Sequence, residues 1–186
     1  MSGPSGVGKG TIREKLMEDK SLNLFYSVSM TTRNMRPGEV DGREYYFVSK
    51  EEFKKNIESG NLLEWAEYVG NFYGTPKDKV ENMRLEGKNV LLEIDVKGTA
   101  NVLSKVDDVI SIFIAPPSFE ELANRLRGRG TETEEVINNR VETARKELAF
   151  QSQYKYVVIN DKLEDAVDEI RKIIKENLWL QLQFTD

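Results

Sequence analysis

Apolar and polar positions along this chain follow two periods, and the changes of period divide it into elements. The segments NVLLEIDV, VISIFIA and KYVVIND are short apolar runs, each followed by a helical stretch, the pattern of parallel strands covered on both faces. Ile12 to Asp19 reads as a helix and Phe25 to Met30 as a strand. Pro37 and Gly38 then break the pattern before another short strand, Tyr45 to Val48. Ser49 and Glu52 have the spacing of a capping box that opens a helix running to about Glu58. Leu62 to Tyr68 and Phe72 to Tyr73 flank Gly70 and Asn71, a pair suited to a tight hairpin turn, so the middle of the chain is β-rich. From Arg125 to Thr133 the sequence RLRGRGTET is too polar and glycine-rich for a core and reads as a mobile cover. In NLWLQLQFTD, Leu178, Leu180 and Leu182 alternate as in a strand, and the same pattern fits an amphipathic helix end or a partner contact equally well.

Composition narrows the chemistry. A chain of 186 residues predicts one substantial core with small insertions. It has no cysteine and no histidine, which removes disulfides, thiol nucleophiles, imidazole relays and zinc sites of the usual ligand types. Carboxylates, cations, hydroxyls and backbone remain. The lack of cysteine fits a cytoplasmic protein. The sequence shows no secretory leader and no run of about 18 apolar residues, so neither secretion nor membrane spanning is expected. A formal charge of -5 argues against broad nucleic-acid binding, although local arginine clusters can still hold small anions.

One such anion site opens the chain. Gly3, Gly8 and Lys9 fit G-x-x-x-x-G-K, in which glycines let backbone amides turn onto phosphate oxygens and the lysine adds a point charge. A helix starting beside Lys9 aims its positive end at the same place. Gly10 stands where the pattern has a hydroxyl residue, so Thr11 is the nearest candidate to hold magnesium, directly or through water. Only Met1 and Ser2 precede the loop. The strand that normally leads into it is therefore expected from upstream residues, or from another segment such as the C-terminal one; failing both, the sheet would be defective there.

The stretches GPSGVGKGT, S-x-T-T-R-x-x-R-x-G-E-x-x-G-x-x-Y, E-W-A, Y-G-T, E-x-D-V-x-G and R-G-R-G-T-E-T occur in order over nearly the whole chain. This set resembles the guanylate kinase family, which phosphorylates GMP with ATP. The resemblance implies an α/β P-loop kinase fold in three parts: a parallel-sheet core (1–29, 77–122, 146–186), a β-rich GMP-binding insertion (30–76) and a helical lid (123–145). It implies that Gly3, Pro4, Ser5, Gly6, Val7, Gly8, Lys9, Gly10 and Thr11 bind ATP, with Asn160 near its base. It places GMP against Ser29, Arg33, Arg36, Tyr45, Glu64, Tyr73, Thr75 and Asp95. Lys9, Arg125, Arg129 and Arg140 become the catalytic cations, and Mg2+ the cofactor accompanying ATP. The implied partners are these two nucleotides, not nucleic acid or membrane, for a monomer or homodimer.

Residue chemistry agrees with that assignment. Arg33 and Arg36 carry planar forks that grip a monophosphate, and Tyr45 and Tyr73 add hydroxyl donors without further charge. Guanine presents adjacent donors at N1 and its exocyclic amine and an acceptor at O6. Glu64 and Asp95 suit the donors, and Thr75 suits O6. Adenine would set its N1 lone pair against a carboxylate, so the pocket should reject it. Glu93 is a candidate to organise water around magnesium. Lacking histidine is no obstacle, because a phosphate oxygen of GMP is already an anionic nucleophile.

Overall fold

The computed structural model describes residues 1–68, 70–128 and 134–183. In chain order the elements are helix α1 (Lys9–Glu18), strands β1 (Leu24–Tyr26), β2 (Met30–Thr31) and β3 (Tyr46–Phe47), helix α2 (Lys50–Glu58), strands β4 (Leu62–Tyr68) and β5 (Asn71–Pro76), and helix α3 (Lys77–Leu85). There follow β6 (Asn89–Leu91), α4 (Val96–Leu103), β7 (Ile112–Ala115), α5 (Phe119–Arg127), α6 (Glu134–Leu148), β8 (Tyr156–Ile159) and α7 (Leu163–Gln183). The chain forms two compact units, one made of Met1–Leu22 with Asp108–Asp186 and the other of Asn23–Asp107.

In the first unit β7 and β8 pair in parallel from Ile112↔Tyr156 to Ala115↔Ile159. Ser2 continues this sheet on the other side of β7 as a single parallel bridge to Phe113, with Ser2 N donating to Ile112 O at 2.9 Å and Ile114 N to Ser2 O at 2.8 Å. All of β7 is buried, as its uninterrupted apolar sequence predicts. Phe113, Ile114 and Val158 join Ile12 and Leu16 of α1, Leu122 and Leu126 of α5 and Ile170 of α7 in one apolar core. Burying each of these side chains contributes roughly 1.5–3 kcal/mol. The parallel strands are thus held by helices, and the phosphate loop follows directly from the bridge at Ser2.

One sequence expectation changes in this unit, and one open alternative is decided. The polar run from Arg125 is not cover throughout: α5 extends to Arg127, and Leu126 within it is 1% exposed. Its remainder, 129–133, lies outside the described residues. The alternating leucines at 178, 180 and 182 belong to α7, which runs through Gln183. Leu, Gln, Lys and Glu favour helix, and after Ile174 the element contains no β-branched residue to oppose it.

The second unit holds two sheets among its described residues. β1 pairs in parallel with β6, Leu24↔Asn89 to Tyr26↔Leu91. The other sheet has the order β3-β2-β5-β4, with β2 parallel to β3 and antiparallel to β5. Phe25 to Met30 is therefore split between β1 and β2, with Ser27 N donating to Leu91 O of β6 at 3.0 Å just past the end of β1. The hairpin forms, but Asn71 already pairs with Tyr68 and so belongs to β5. Ser49 caps α2, its Oγ accepting from Glu52 N at 3.1 Å, and Phe53 of that helix is fully buried and stacks on Phe72 of β5 at 5.5 Å. Among the described residues no helix is long and apolar enough to cross a membrane.

Candidate active site

The phosphate loop is built around glycine geometry and an uncapped helix. Gly8 sits at φ 94°, and a Cβ there would lie 2.5 Å from Asn160 Nδ2, so backbone conformation and space both select glycine. No side chain caps α1 and no acidic residue occupies its first turn, which leaves the helix start suited to an anion. Lys9 Nζ donates to Gly3 O at 2.6 Å and Pro4 O at 3.0 Å, bending back across the loop. Val7 is completely buried and anchors the loop in the core.

Asn160 and two arginines surround this loop. The buried Asn160 amide donates from Nδ2 to Val7 O at 2.8 Å, and its backbone carbonyl accepts from Arg125 Nη1 at 3.1 Å. Asn160 thus braces the loop directly, a role its position at a strand end does not reveal. Arg125 is further fixed by Glu121, whose Oε1 accepts from Nε at 2.9 Å one helical turn away. Arg140 of α6 donates from Nη2 to Ser5 Oγ at 2.7 Å. Three of the four expected catalytic cations are therefore at the loop, Lys9 within it and Arg125 and Arg140 beside it. The fourth, Arg129, lies outside the described residues.

The second unit gathers the residues expected to hold an acceptor phosphate. Thr31 and Thr32 latch the segment carrying Arg33 onto β5: Thr31 Oγ1 donates to Phe72 O at 3.0 Å, and Thr32 Oγ1 accepts from Phe72 N at 2.9 Å. The Arg33 guanidinium lies 5.4 Å from the Tyr45 ring centre and 5.6 Å from that of Phe47. Tyr45 meets Tyr73 edge to face at 5.9 Å. Burial pushes the Tyr45 hydroxyl up to about 12, so it stays protonated and remains a donor. Ser29 is buried beside this group, its carbonyl accepting from Tyr46 N at 2.9 Å, whereas the Arg36 side chain is exposed.

A residue without an assigned role in the sequence joins them. Glu39 accepts from Arg33 Nη2 at 2.8 Å and Nη1 at 3.0 Å, and from Arg36 N at 2.7 Å. The hydrogen bond from Arg33 holds its carboxyl below the usual range. An acid six residues after one arginine and three after another was the only sequence signal.

Nearby elements bring together the residues expected to read a base. Glu64 and Thr75 face each other across β4 and β5, and Thr75 Oγ1 donates to Glu64 Oε1 at 2.6 Å. Glu64 is 4% exposed. Burial raises its pKa to about 7, and Asp95 adds to the rise, against the hydrogen bond from Thr75. Asp95 caps α4, accepting from Gly98 N at 2.6 Å. Gly98 makes this cluster possible, since a Cβ there would stand 2.5 Å from Glu64 Oε2 and 3.2 Å from Asp95 Oδ1. The Thr75 hydroxyl proton is engaged with Glu64, so serving a base oxygen requires it to turn away.

Among the described residues no group of three or more acidic side chains could cage a metal. Gly10 leaves open space where a side chain would stand, and Thr11 is exposed beside it. This donor set fits a hydrated magnesium ion carried by nucleotide phosphates, with at most one hydroxyl from the protein. A groove of about 730 Å³ between β3, α2 and α3, lined by Asp41, Tyr46, Glu52, Asn56, Lys77 and Lys79 among others, contains none of the expected site residues. Its lining mixes acidic and basic side chains.

A glycine-rich loop on a helix start, flanked by arginines and set on a parallel sheet, defines a phosphate-loop nucleotide-binding protein. The sequence profile of the family described as Guanylate kinase matches residues 1–177. Guanylate kinase from Lactococcus lactis subsp. lactis is 53% identical over 174 residues, covering 94% of this chain and 84% of that protein. The Oceanobacillus iheyensis guanylate kinase is 51% identical over 175 residues, with 94% and 84% covered. The crystal structure of guanylate kinase from Anaplasma phagocytophilum superposes with a TM-score of 0.78 at 38% identity, covering 94% of this chain and 82% of that one. The chain belongs to the guanylate kinase family, and it is a phosphotransferase with the P-loop kinase fold.

Proposed function

We propose that the protein transfers the γ-phosphoryl group of ATP to GMP, giving ADP and GDP. The observation that carries this reading is the cluster of Glu64, Thr75 and Asp95, two carboxylates and a hydroxyl gathered together, where Lys105 acts on Glu64 less strongly than burial does. Buried acceptors in this arrangement favour a base edge with adjacent donors, which guanine has and adenine lacks. Arg33, Arg36, Tyr45 and Tyr73 take the GMP phosphate, with Ser29 beside them. The phosphate loop, from Gly3 to Thr11, takes the phosphates of ATP.

An oxygen of the GMP phosphate forms the new bond to the γ-phosphorus while the bond to the ADP oxygen breaks. No proton has to be removed from the nucleophile, so the protein supplies alignment and positive charge. Lys9, Arg125, Arg129 and Arg140 neutralise the phosphoryl oxygens as charge redistributes. Magnesium bound with ATP would add Lewis-acid stabilisation of the same oxygens. Asn160 keeps the loop carbonyl of Val7 in place, and residues 123–145 act as the lid that excludes water. Glu93 is available to organise water near the ion.

An ADP-release assay with GMP, dGMP, AMP or no acceptor tests the reading, with and without magnesium. Turnover is expected with GMP and not with AMP, and chelation should abolish it. Equal rates with both purine monophosphates would overturn the assignment of the base site. The dGMP arm tells whether the 2′-hydroxyl is read.

A further inference from the structure

We propose that Glu39 is a positioning residue for the acceptor phosphate: it occupies one edge of the Arg33 guanidinium so that the other edge faces the phosphate, and it fixes the turn carrying Arg36. The inference rests on reading Arg33 and Arg36 as the GMP-phosphate clamp. A guanidinium has five N–H donors, arranged as an end edge (Nη1 with Nη2), a side edge (Nε with Nη2) and one more on Nη1. Glu39 takes the end edge in bidentate fashion, at 3.0 Å to Nη1 and 2.8 Å to Nη2. Asn34 O takes the remaining Nη1 donor at 2.7 Å. The side edge is left without a protein acceptor among the described residues. It is a two-donor fork of the geometry that matches a phosphate.

A carboxylate touching a phosphate-binding arginine has two opposite possible effects. It can compete with the ligand for the same donors, or it can hold the cation in the geometry the ligand needs. The division of the five donors selects the second, because the side edge remains complete with Glu39 in place. The pair is largely enclosed, with 14% of the Arg33 side chain and 17% of the Glu39 side chain exposed. The Tyr45 and Phe47 rings lie within cation–π range of the guanidinium. One carboxylate oxygen also accepts from Arg36 N at 2.7 Å, so the same group closes the Arg36–Glu39 turn, where Glu39 N donates to Arg36 O at 3.1 Å. A flexible arginine loses side-chain entropy when a ligand immobilises it, and prior fixing by Glu39 removes that cost from binding.

The test is Glu39→Gln, which keeps the shape but turns an amide donor toward the guanidinium. KM for GMP should rise about tenfold or more, with kcat at saturating GMP within about twofold and KM for ATP unchanged. Inhibition by guanosine, which lacks the phosphate, should not change. A KM for GMP that stays the same or falls would overturn the proposal, as would an equal loss for guanosine. Should the variant fail to fold, carboxyl 13C NMR of the unaltered protein decides: the Glu39 resonance should keep its paired, ionised position as GMP saturates. A large shift matching displacement by phosphate would defeat it. Absence of turnover with GMP by the unaltered protein defeats the functional reading instead, so the two failures are distinguishable.

Discussion

Asn160 illustrates how one buried amide can serve a loop it is far from in sequence. Removing it in Asn160→Ala leaves Val7 O without its donor and loosens the loop at Gly8, at a cost of about 1–3 kcal/mol. KM for ATP should rise while KM for GMP stays constant, which steady-state kinetics with each substrate varied will show. Gly98 supports the Glu64–Asp95 cluster proposed for the other substrate. In Gly98→Ala the new methyl would stand 2.5 Å from Glu64 Oε2, displacing the carboxylate or the start of α4. KM for GMP is expected to rise about tenfold with KM for ATP unchanged; parallel increases in both would show a general loss of structure. At this scale the sequence motifs name candidate ligand-binding groups but do not mark which residues support those groups. Glu39, Gly98 and the bracing role of Asn160 depend on distances set by folding, such as the 153-residue separation between Asn160 and Val7.

Elements were legible where a local rule suffices. Ser49 and Glu52 mark the start of α2 through a contact three residues long, and the apolar runs of β7 and β8 carry their own burial signal. Ser49→Ala should therefore lower stability by about 1 kcal/mol in urea unfolding, with both KM values unaffected, because the Ser49 hydroxyl accepts from Glu52 N at the helix start and is not among the proposed site residues. Legibility failed where a pattern served two periods. Leu178 and Leu182 are four apart as well as members of an alternating series, and helix propensity decides for α7. The run from Leu24 to Thr31 divides because its ends pair with different partners, β6 at one end and β3 and β5 at the other. No property of the run itself encodes those partners.

For the molecule as a whole, the price of holding the Glu64 carboxyl in the interior, where we propose it reads the base, is a pH-dependent loss of stability. Glu64 has an ordinary value of 4.5 and is raised to about 7 in the folded protein, chiefly by burial. The folded chain therefore binds this proton more tightly than the unfolded chain. The resulting contribution to stability is fully present below about 4.5 and is lost as pH rises through about 7. The gap between the two values corresponds to on the order of 3 kcal/mol. Glu64→Gln retains an acceptor for Thr75 and carries no charge at any pH. It should be more stable than the parent near pH 8 in urea unfolding, with that advantage shrinking toward pH 5 and the m-value unchanged. A stability difference independent of pH would rule out a raised Glu64 pKa. The same variant should bind GMP more weakly, because its amide group sets a donor against guanine's donors. Stability gained at alkaline pH together with acceptor affinity lost identifies Glu64 as a residue retained for recognition at the expense of folding.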